Sequence, residues 1–462
     1  MPNYQMRQTE KNPIYQAIIE SSDLLERMSS QYPSFVLKAF DGFKTCGVIK
    51  YGIMRLKCLS CDYNQIVALS CKKRGFCTSC ANKFMLETSR HLIDNILPVA
   101  RYRQIVVTLP YDIRFIVGTN STILNRINKI INRAIHRVLK SKASTAGFKN
   151  PVVGSINFIQ RFGGMANLNP HWHCLVMEKA YECGEKIRAR NLPQMTKIDL
   201  AEILQEIIYY TAKHFKKEGY VDEAMLMLKL PPQDKILQDH QSLLDDIKDS
   251  MRTPKIETIG DNESDHQSVS SSDISRGRLC LAQNGFTIHG ATKINPLNRS
   301  GLEKLINYMA RPALSSQSIS LQGGIITYKL KRPLKSGSTH IRLPLNSFIK
   351  RLAALVPLPR RHLTRHHGIF ARAHPLRPKI IKNPGVLKTL SGRLPDPTTG
   401  QKLVANTSWC LLLKRTFKFD ISVCPKCGDK LEVMSVIFDP VQIDRFMEWI
   451  SNQSVGPPKP KT

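Results

Sequence analysis

The clearest strand signal lies in residues 154–177, GSINFIQRFGGMANLNPHWHCLVM. Two runs rich in β-branched and aromatic residues, GSINFIQRFG and PHWHCLVM, flank a turn rich in Gly and Asn. Such runs are typical of strands, and we expect a strand pair here. Because side chains alternate between the faces of a strand, His171 and His173 share one face. Trp172 then points to the opposite face, toward a core.

The spacing of the two histidines raises the question of metal binding. Two imidazoles at positions i and i+2 on one face can hold a divalent ion and leave coordination positions open for a substrate oxygen. The same spacing also occurs where histidines fill ordinary core positions. His171 and His173 alone therefore leave both interpretations open.

Outside this strand pair, helical and β-rich segments are mixed along the chain. Apolar residues at helical spacing predict helices over residues 12–45, 83–97, 121–142 and 198–217. YRQIVVTLP and RLCLAQNGFTIHG each predict a strand. GIITYKLKRPLKSGSTHIRLPL predicts a hairpin that turns at Ser336-Gly337.

The composition limits the classes of partner. The chain has 462 residues, a formal net charge of +32 and a pI of about 9.8. The usual partner of such a positive excess is a polyanion, most often nucleic acid; a ribosome-like or membrane-surface protein is the alternative. No run of about 18 or more apolar residues occurs, so we expect no membrane-spanning helix. The first residues lack a secretory-signal pattern, and we expect a cytoplasmic, nucleoid-associated protein.

One segment departs from the basic composition. Residues 232–275 are rich in Asp, Ser and Gln and poor in aromatic residues, and they are the acidic part of the chain. This composition is typical of a disordered or loosely helical insert. The last residues, which end in QSVGPPKPKT, are typical of a frayed tail.

The cysteines indicate metal ligands rather than disulfides, because a cytosolic compartment keeps thiols reduced. Cys58-x-x-Cys61 is followed, after fifteen residues, by Cys77-x-x-Cys80. Two such knuckles predict one tetrahedral site for structural zinc. Reduced core cysteines without a ligand are the alternative.

Other cysteines leave the exact ligand set open. Cys46 and Cys71 lie near the two knuckles, and either could replace one ligand or help to hold a second ion. Near the other end of the chain, Cys424 and Cys427 form the knuckle CPKCG, with no second CxxC or histidine pair downstream. One knuckle supplies half a site, and a knuckle-shaped turn without metal is the alternative.

A tyrosine stands out in RSGLEKLINYMARP. Ser300 and Glu303 have capping-box spacing, which predicts a helix start, and Pro312 ends the helix. The helix carries an apolar stripe of Leu302, Leu305, Ile306 and Met309.

Another face of this helix carries charge. Lys304, Tyr308 and Arg311 are spaced i, i+4, i+7. Because a free tyrosine ionises near a pKa of about 10, it is a poor nucleophile at neutral pH. Flanking cations favour the phenolate and also hold a phosphate. A partly buried aromatic residue on an amphipathic helix is the alternative.

Together these features resemble the insertion-sequence-91 family of rolling-circle transposases, whose nucleases belong to the His-hydrophobe-His (HUH) class. The resemblance spans roughly residues 35–435. It rests on the ordered motifs CLSCDYNQIVALSCKKRGFCTSCANKFMLET, RQIVVTLP, FIQRFGGMANLNPHWHCLV, GFTIHG, LINYMARP, YKLKRPLKSGSTHIRLPLNSFIKRLAALVPLPRRHLTRHHGIF and CPKCGDKLEV.

The resemblance implies an α+β fold: an N-terminal zinc-binding module and an HUH domain whose antiparallel sheet is flanked by helices. We expect a helical segment at 1–35, a DNA-facing zinc module at 36–97, the catalytic domain with its acidic insert at 98–315, a basic hairpin and DNA-binding segment at 316–385, and a C-terminal region with a knuckle and flexible tail at 386–462.

The resemblance also implies the roles of the site residues. His171 and His173 hold Mg²⁺ or Mn²⁺, and Tyr308 attacks the scissile phosphate to form a 5′-phosphotyrosine. Gln160 and His289 are the candidates for a third ligand, with a turn hydrogen bond and an ordinary core role as their alternatives. Lys304 and Arg311 support the phosphate or the phenolate.

One position separates branches of the family. The founding branch has two tyrosines one helical turn apart, whereas Lys304 stands four residues before Tyr308. The sequence therefore resembles the single-tyrosine, common-region branch.

We expect a bacterial DNA transposase with structural Zn²⁺, which nicks and transfers single-stranded element ends and self-associates, without a membrane partner. A plasmid replication initiator or relaxase with the same site is one alternative, and a non-enzymatic zinc-dependent DNA-binding protein is another. The zinc module and the basic segment 350–380 favour the transposase. In that segment we expect basic residues to contact the DNA backbone: Arg360, Arg361, Arg365 and His366, together with His362, His367 and Arg372.

Overall fold

The computed structural model describes residues 8–73, 75–164, 166–222, 227–228, 234–251, 279–330, 333, 337–381 and 423–453. Numbered in chain order, the helices are α1 Pro13–Glu20, α2 Ser22–Met28, α3 Ser34–Thr45, α4 Thr78–Asn95, α5 Tyr111–Thr119, α6 Ser121–Thr145, α7 Lys197–Lys217, α8 Lys235–Gln238, α9 Gln241–Met251, α10 Arg299–Ala310, α11 Leu345–Leu355, α12 Arg377–Ile380 and α13 Pro440–Gln453. None of these helices is both long and apolar enough to cross a bilayer.

The strands are β1 Ile53–Cys58, β2 Asn64–Ala68, β3 Tyr102–Thr108, β4 Gly154–Phe162, β5 Leu168–Met177, β6 Lys179–Cys183, β7 Ile187–Asn191, β8 Val221–Asp222, β9 Met227–Leu228, β10 Cys280–Gln283, β11 Phe286–His289, β12 Lys293–Ile294, β13 Ile319–Gln322, β14 Ile325–Lys329, β15 His340–Pro344, β16 Thr364–Gly368 and β17 Leu431–Ile437.

An antiparallel sheet forms the centre of the fold, in the strand order β10-β11-β3-β5-β4-β16, with β12 also paired to β3. β4 and β5 are the strand pair predicted from residues 154–177. Both are buried along most of their length, in keeping with their apolar runs. The predicted α+β fold with an antiparallel sheet is confirmed.

Helices cover both faces of this sheet. On one face, α5, α6 and α7 share a core with Val107, Ile159 and the fully buried Trp172. On the other face, α4 and α10 share a core with Phe158 and Leu175. The alternation of β5 therefore sends Trp172 into one core, as the sequence predicted, and both histidines toward the face covered by α10.

RLCLAQNGFTIHG forms a hairpin, so the prediction of one strand was wrong. β10 and β11 pair antiparallel and meet at Asn284 and Gly285, which have φ values of 49° and 74°. An Asn-Gly pair accepts these positive φ values at low cost and is the strongest short-range hairpin signal. The correct reading was therefore present in the local sequence.

A second core combines segments from distant parts of the chain. The helix predicted over residues 12–45 is three helices, α1 to α3, and Pro33 precedes the third. α1 and α3 pack with β13–β15, α9 and α11 around Phe40, Ile326 and Leu352. This packing crosses the boundaries that we expected near residues 35 and 315. The predicted hairpin is β14–β15, and Ser336 at its turn lies outside the described residues.

Part of the acidic segment is a packed helix. α9 buries Leu244 and Ile247 in the second core, and its Asp246 pairs with Lys350 of α11 at 3.0 Å. The prediction of a disordered or loosely helical insert is wrong for this helix, whose apolar residues recur at helical spacing. Residues 252–275 lie outside the described part of the chain.

A three-stranded sheet combines the N-terminal and C-terminal segments. β1 forms a hairpin with β2 and pairs on its other edge with β17, from Ile53 opposite Ile437 to Cys58 opposite Leu431. α13 packs against this sheet through Ile443. No local pattern pairs these segments, because almost the whole chain separates them.

Candidate functional site

His171 and His173 lie on one face of β5, with their ring centroids 5.0 Å apart. In the β4–β5 ladder, Gln160 is opposite His171 and Phe158 is opposite His173, so Gln160 shares the face of the histidines. His173 is buried and His171 is half-buried. The two rings are close enough to hold one ion.

Hydrogen bonds fix the orientation of both rings. The Nδ1 of His171 lies 2.7 Å from the backbone oxygen of Asn169, to which it donates, and this leaves Nε2 free for a metal. The Nδ1 of His173 lies 2.7 Å from the side-chain amide of Gln104 on β3. The structure places Nε2 of Gln104 at this distance, so its amide donates to Nδ1. With the amide turned over, Oε1 accepts from Nδ1–H, and Nε2 of His173 is then free to bind a metal.

Gln104 is a residue that the sequence did not reveal. It reaches His173 because β3 is the neighbour of β5, with Val106 opposite His173. A local pattern gives the faces of a strand but not its neighbours. Its polar side chain in the apolar run YRQIVVTLP is the signal that could have been noticed.

Burial lowers the pKa of both imidazoles. For His173 burial, followed by the positive charges of His171 and Arg311, lowers the pKa to about 3. Burial also lowers the pKa of His171. The hydrogen bond to Asn169 acts in the opposite direction but is the smaller effect. Both rings are therefore neutral at neutral pH, which is the form that binds metals.

Only one of the two polar atoms in the Gln160 side-chain amide has a hydrogen-bond partner. Its Nε2 donates to the backbone oxygen of Met309 at 2.6 Å, while its Oε1 is buried without a hydrogen-bond partner. A buried acceptor without a partner is rare, and here it shares a face with His171. Two neutral imidazoles and this oxygen form a donor set that fits Mg²⁺ or Mn²⁺.

His289 does not join the pair, so the structure does not support it as a third ligand. It is exposed on β11, opposite Val106, which is in turn opposite His173. Two strand spacings, roughly 10 Å, separate His289 from His173. Among the described residues, no other His, Cys, Asp or Glu completes a group of three with the pair.

Tyr308 lies on α10 beside the histidines. Its ring is nearly perpendicular to that of His173, with centroids 5.7 Å apart, and the residue is 49% exposed. The guanidinium carbon of Arg311 lies 5.2 Å from the centroid of the Tyr308 ring, and Nε of Arg311 is buried without a hydrogen-bond partner. Lys304 is exposed one turn earlier. Tyr308 thus contacts the histidine pair and remains open to a substrate.

The start of α10 differs from the prediction, whereas its end just before Pro312 agrees with it. Asn298, rather than Ser300, caps the helix, since its side chain accepts the backbone N–H of Gly301 at 2.8 Å. The helix ends before Arg311, whose backbone is extended with ψ of 152°. Arg311 therefore approaches Tyr308 from beyond the helix end. The predicted apolar stripe is confirmed: Leu302, Leu305, Ile306 and Met309 are buried.

The cysteines form two groups of four where the sequence predicted one site. In the first group, Sγ of Cys46 lies 3.7 Å from Sγ of Cys77 and of Cys80, and Sγ of Cys71 lies 3.5 Å from that of Cys80. Four sulfurs at about 2.3 Å from a zinc ion form a tetrahedron with edges of about 3.8 Å. The spacing of the first group fits such a site.

The prediction that the first two CxxC knuckles share one site is wrong. The β1–β2 hairpin carries the first knuckle toward β17, whereas the second knuckle lies at the start of α4, next to α3. The first knuckle meets the CPKCG knuckle instead. The second group consists of Cys58, Cys61, Cys424 and Cys427.

The basic segment lies along the edge strand β16. Arg360 and Arg361 are exposed just before it. Arg365 donates to Oδ1 of Asn125 on α6 at 2.7 Å, so its guanidinium also holds the edge strand against that helix.

His366 points to the opposite face from Arg365, because strand residues alternate. It lines a cavity of about 570 Å³ together with His91, Arg372 and Arg377. Burial, followed by the charges of Arg377 and His91, lowers the pKa of His366 to about 4. Among the described residues, no carboxylate lines this cavity.

The chain matches two family models. Residues 18–109 match the transposase zinc-binding domain model Zn_Tnp_IS91, and residues 154–377 match the transposase model Y2_Tnp. The first match includes the first cysteine group, and the second includes β4, β5, α10 and β16. No curated protein and no solved structure matches the chain.

Proposed function

We propose that the chain is a transposase of the insertion-sequence-91 type that works as an HUH nuclease. The matches to a transposase zinc-binding domain over residues 18–109 and to a transposase model over residues 154–377 support this proposal. The substrate of the protein is single-stranded DNA at the ends of a mobile element. The protein nicks this DNA and transfers the strand through a 5′-phosphotyrosine intermediate, in a rolling-circle-like reaction.

The contact between Tyr308 and His173 carries this proposal. A candidate nucleophile, 49% exposed, lies with its ring centroid 5.7 Å from a neutral, buried imidazole. A second imidazole and an unpaired amide oxygen share that face of the sheet. A nucleophile beside a set of metal ligands is the arrangement that phosphodiester cleavage requires.

The proposed step exchanges one phosphate ester for another. Tyr308 Oη forms a bond to phosphorus as the bond from phosphorus to the 3′ oxygen breaks, and the phenolic proton is transferred to that oxygen. The products are a 5′-phosphotyrosine and a 3′-hydroxyl. Because the new ester retains the phosphodiester energy, rejoining needs no nucleoside triphosphate. A divalent ion bound by His171, His173 and Gln160 would polarise the phosphate and orient it.

Two cations support the phosphate. Arg311 has a buried Nε without a hydrogen-bond partner beside Tyr308, and a phosphate oxygen can accept from it. Lys304 is exposed one helical turn before Tyr308 and adds positive charge.

Gln160 has a positioning role as well as a ligand role. Its bond to the backbone oxygen of Met309 ties β4 to the last turn of α10. The metal ligands and the nucleophile are therefore parts of one rigid unit. Such rigidity keeps the attacking oxygen within reach of the phosphate.

The single tyrosine restricts how the second strand is transferred. Lys304 stands where the founding branch of the family has its other tyrosine, so one active site offers one nucleophile. The second transfer then uses the free 3′-hydroxyl, Tyr308 of another protomer in a self-associated complex, or Tyr308 again.

The DNA backbone follows the edge of the sheet. Arg360 and Arg361 are exposed there, and the cavity next to His366 has a wholly basic and apolar lining that suits a phosphate. The zinc-binding module in residues 18–109 stabilises the fold rather than taking part in cleavage.

A covalent-capture experiment tests the proposal. The full chain is incubated with a single-stranded oligonucleotide from an element end and Mn²⁺, and protein–DNA adducts are separated on a denaturing gel. Tyr308→Phe should form no adduct. Tyr209→Phe is the matched control, because Tyr209 is also exposed on a helix and has the Lys213 ammonium 5.8 Å from its ring centroid. An adduct with Tyr308→Phe would overturn the assignment.

A further inference from the structure

The second cysteine group joins two ends of the chain. Sγ of Cys58 lies 3.4 Å from Sγ of Cys427, and Sγ of Cys61 lies 3.5 Å from Sγ of Cys424. All four sulfurs lie within 4.8 Å of one another. Cys61 and Cys424 are 363 positions apart in the sequence.

These distances fit a metal ion better than disulfide bonds. A disulfide brings two sulfurs to about 2.05 Å and involves one pair at a time. Here four sulfurs are spaced like the corners of a tetrahedron around an ion that lies about 2.3 Å from each. Each knuckle also has the short spacing that presents two sulfurs to one ion.

The surrounding structure is built to keep the two knuckles together. β17 pairs with β1 along six positions, and Leu56 and Leu431 are buried with Cys58 and Cys424 in one small core. The guanidinium carbon of Arg55 lies 4.6 Å from the ring centroid of Phe446 on α13. The contact between the knuckles is therefore part of a continuous interface.

We propose that Cys58, Cys61, Cys424 and Cys427 bind a second structural zinc ion, which fastens the segment 423–453 to the N-terminal module. The zinc-binding family match ends at residue 109, so it contains only half of this site. Because fixing two ends of a long loop removes much freedom from the unfolded chain, the ion stabilises the folded arrangement. This zinc site does not depend on how the protein cleaves DNA.

The two zinc sites differ in access to solvent. Three of the four cysteines in the first group are buried, whereas Cys427 is exposed and Cys61 is half-buried in the second. A chelator therefore reaches the second ion first. Removal of that ion releases β17 and α13 while the first zinc site remains filled.

The zinc content of the purified full-length chain tests this proposal. Elemental mass spectrometry should give two zinc ions per wild-type chain and one per Cys427→Ser chain. Cys280→Ser is the matched control, because Cys280 is half-buried but belongs to neither group; it should retain two ions. One ion in the wild type, or two in Cys427→Ser, would overturn the proposal.

Thiol labelling of the wild type provides a second test that does not require a variant to fold. In the zinc-loaded protein, a maleimide should leave the exposed Cys427 unmodified, because its sulfur is bound to the ion. After brief chelation, Cys427, Cys424, Cys61 and Cys58 should react before the first group does. Rapid modification of Cys427 in the zinc-loaded protein would contradict the proposed site.

Discussion

The histidine pair on β5 and the second cysteine group both begin with a short sequence motif. They differ in how far along the chain the residue that completes each group lies. Gln160, the proposed third ligand, is opposite His171 on the preceding strand, whereas Cys424 lies 363 positions along the chain from Cys61. The histidines lie on a central strand, while Cys427 is exposed. We therefore expect changes at the histidines to alter chemistry without altering folding. Changes at Cys427 should do the opposite.

The largest effect is expected for His171→Ala. Nicking of single-stranded DNA should fall by about a hundredfold or more, because a bound metal contributes several kcal/mol of charge stabilisation. DNA affinity and the melting temperature should stay close to those of the wild type, since His171 is only half-buried. Single-turnover nicking, fluorescence anisotropy and thermal melting measure the three quantities.

His289→Ala is the control for that variant, because His289 lies on the same sheet but away from the pair. It should nick at the wild-type rate. If His289→Ala lost as much nicking activity as His171→Ala, the loss could not be assigned to the pair of His171 and His173.

A smaller effect is expected for Gln104→Leu, which removes the hydrogen bond to Nδ1 of His173. Loss of a partner that orients a metal ligand typically costs about 10–100-fold in activity or metal affinity. Gln104→Glu should restore most of the rate, because a carboxylate accepts from the same Nδ1. Nicking titrated with Mn²⁺ measures both variants, and equal rates for Gln104→Leu and the wild type would contradict this role.

Gln104 also shows where sequence reasoning stops. The faces of β5, the core role of Trp172 and the helix that carries Tyr308 follow from periodicity within short segments. The neighbours of β5 do not, because strand order depends on contacts between distant segments. The grouping of the cysteines failed for the same reason: nearby knuckles in the sequence suggested one site, and the fold placed them apart.

Two other predictions were wrong although the local sequence contained the correct signal. Asn284-Gly285 has the sequence of a tight hairpin turn, and α9 has apolar residues at helical spacing within an acidic segment. Composition alone outweighed these signals in the prediction. Within a segment, the position of apolar residues is more informative than their number.

Cys427→Ser tests the expectation that the second cysteine group affects folding but not DNA cleavage. Amide hydrogen exchange of β17 and α13 should speed up, because the variant removes a ligand of the proposed zinc ion between these elements and β1. The rate of nicking, measured at a temperature where the catalytic sheet stays folded, should not change. A loss of nicking as large as that of His171→Ala would show that the two regions are coupled rather than separate.

The smallest effect is expected at the edge of the sheet. In the double variant Arg360→Ala and Arg361→Ala, each lost phosphate contact should reduce the salt dependence of single-strand binding by about 0.7 in the logarithmic slope. The single-turnover nicking rate at saturating protein should not change. An unchanged slope would assign both residues to an ordinary solvated surface.

Arg365→Ala is a useful companion to that double variant. Arg365 donates to Asn125, so its loss should lower the melting temperature as well as weaken DNA binding. A drop in melting temperature without any change in the salt slope would assign Arg365 a purely structural role.

The central claim is that Tyr308, held beside the histidine pair, becomes linked to the 5′ phosphate of the cleaved strand. Digestion of the covalent adduct with a protease and a nuclease, followed by tandem mass spectrometry, identifies the modified residue directly. The expected result is one nucleotide on Tyr308, attached through its 5′ phosphate, and an unmodified 3′-hydroxyl on the released strand. A nucleotide on another residue, or one attached through its 3′ phosphate, would contradict the account.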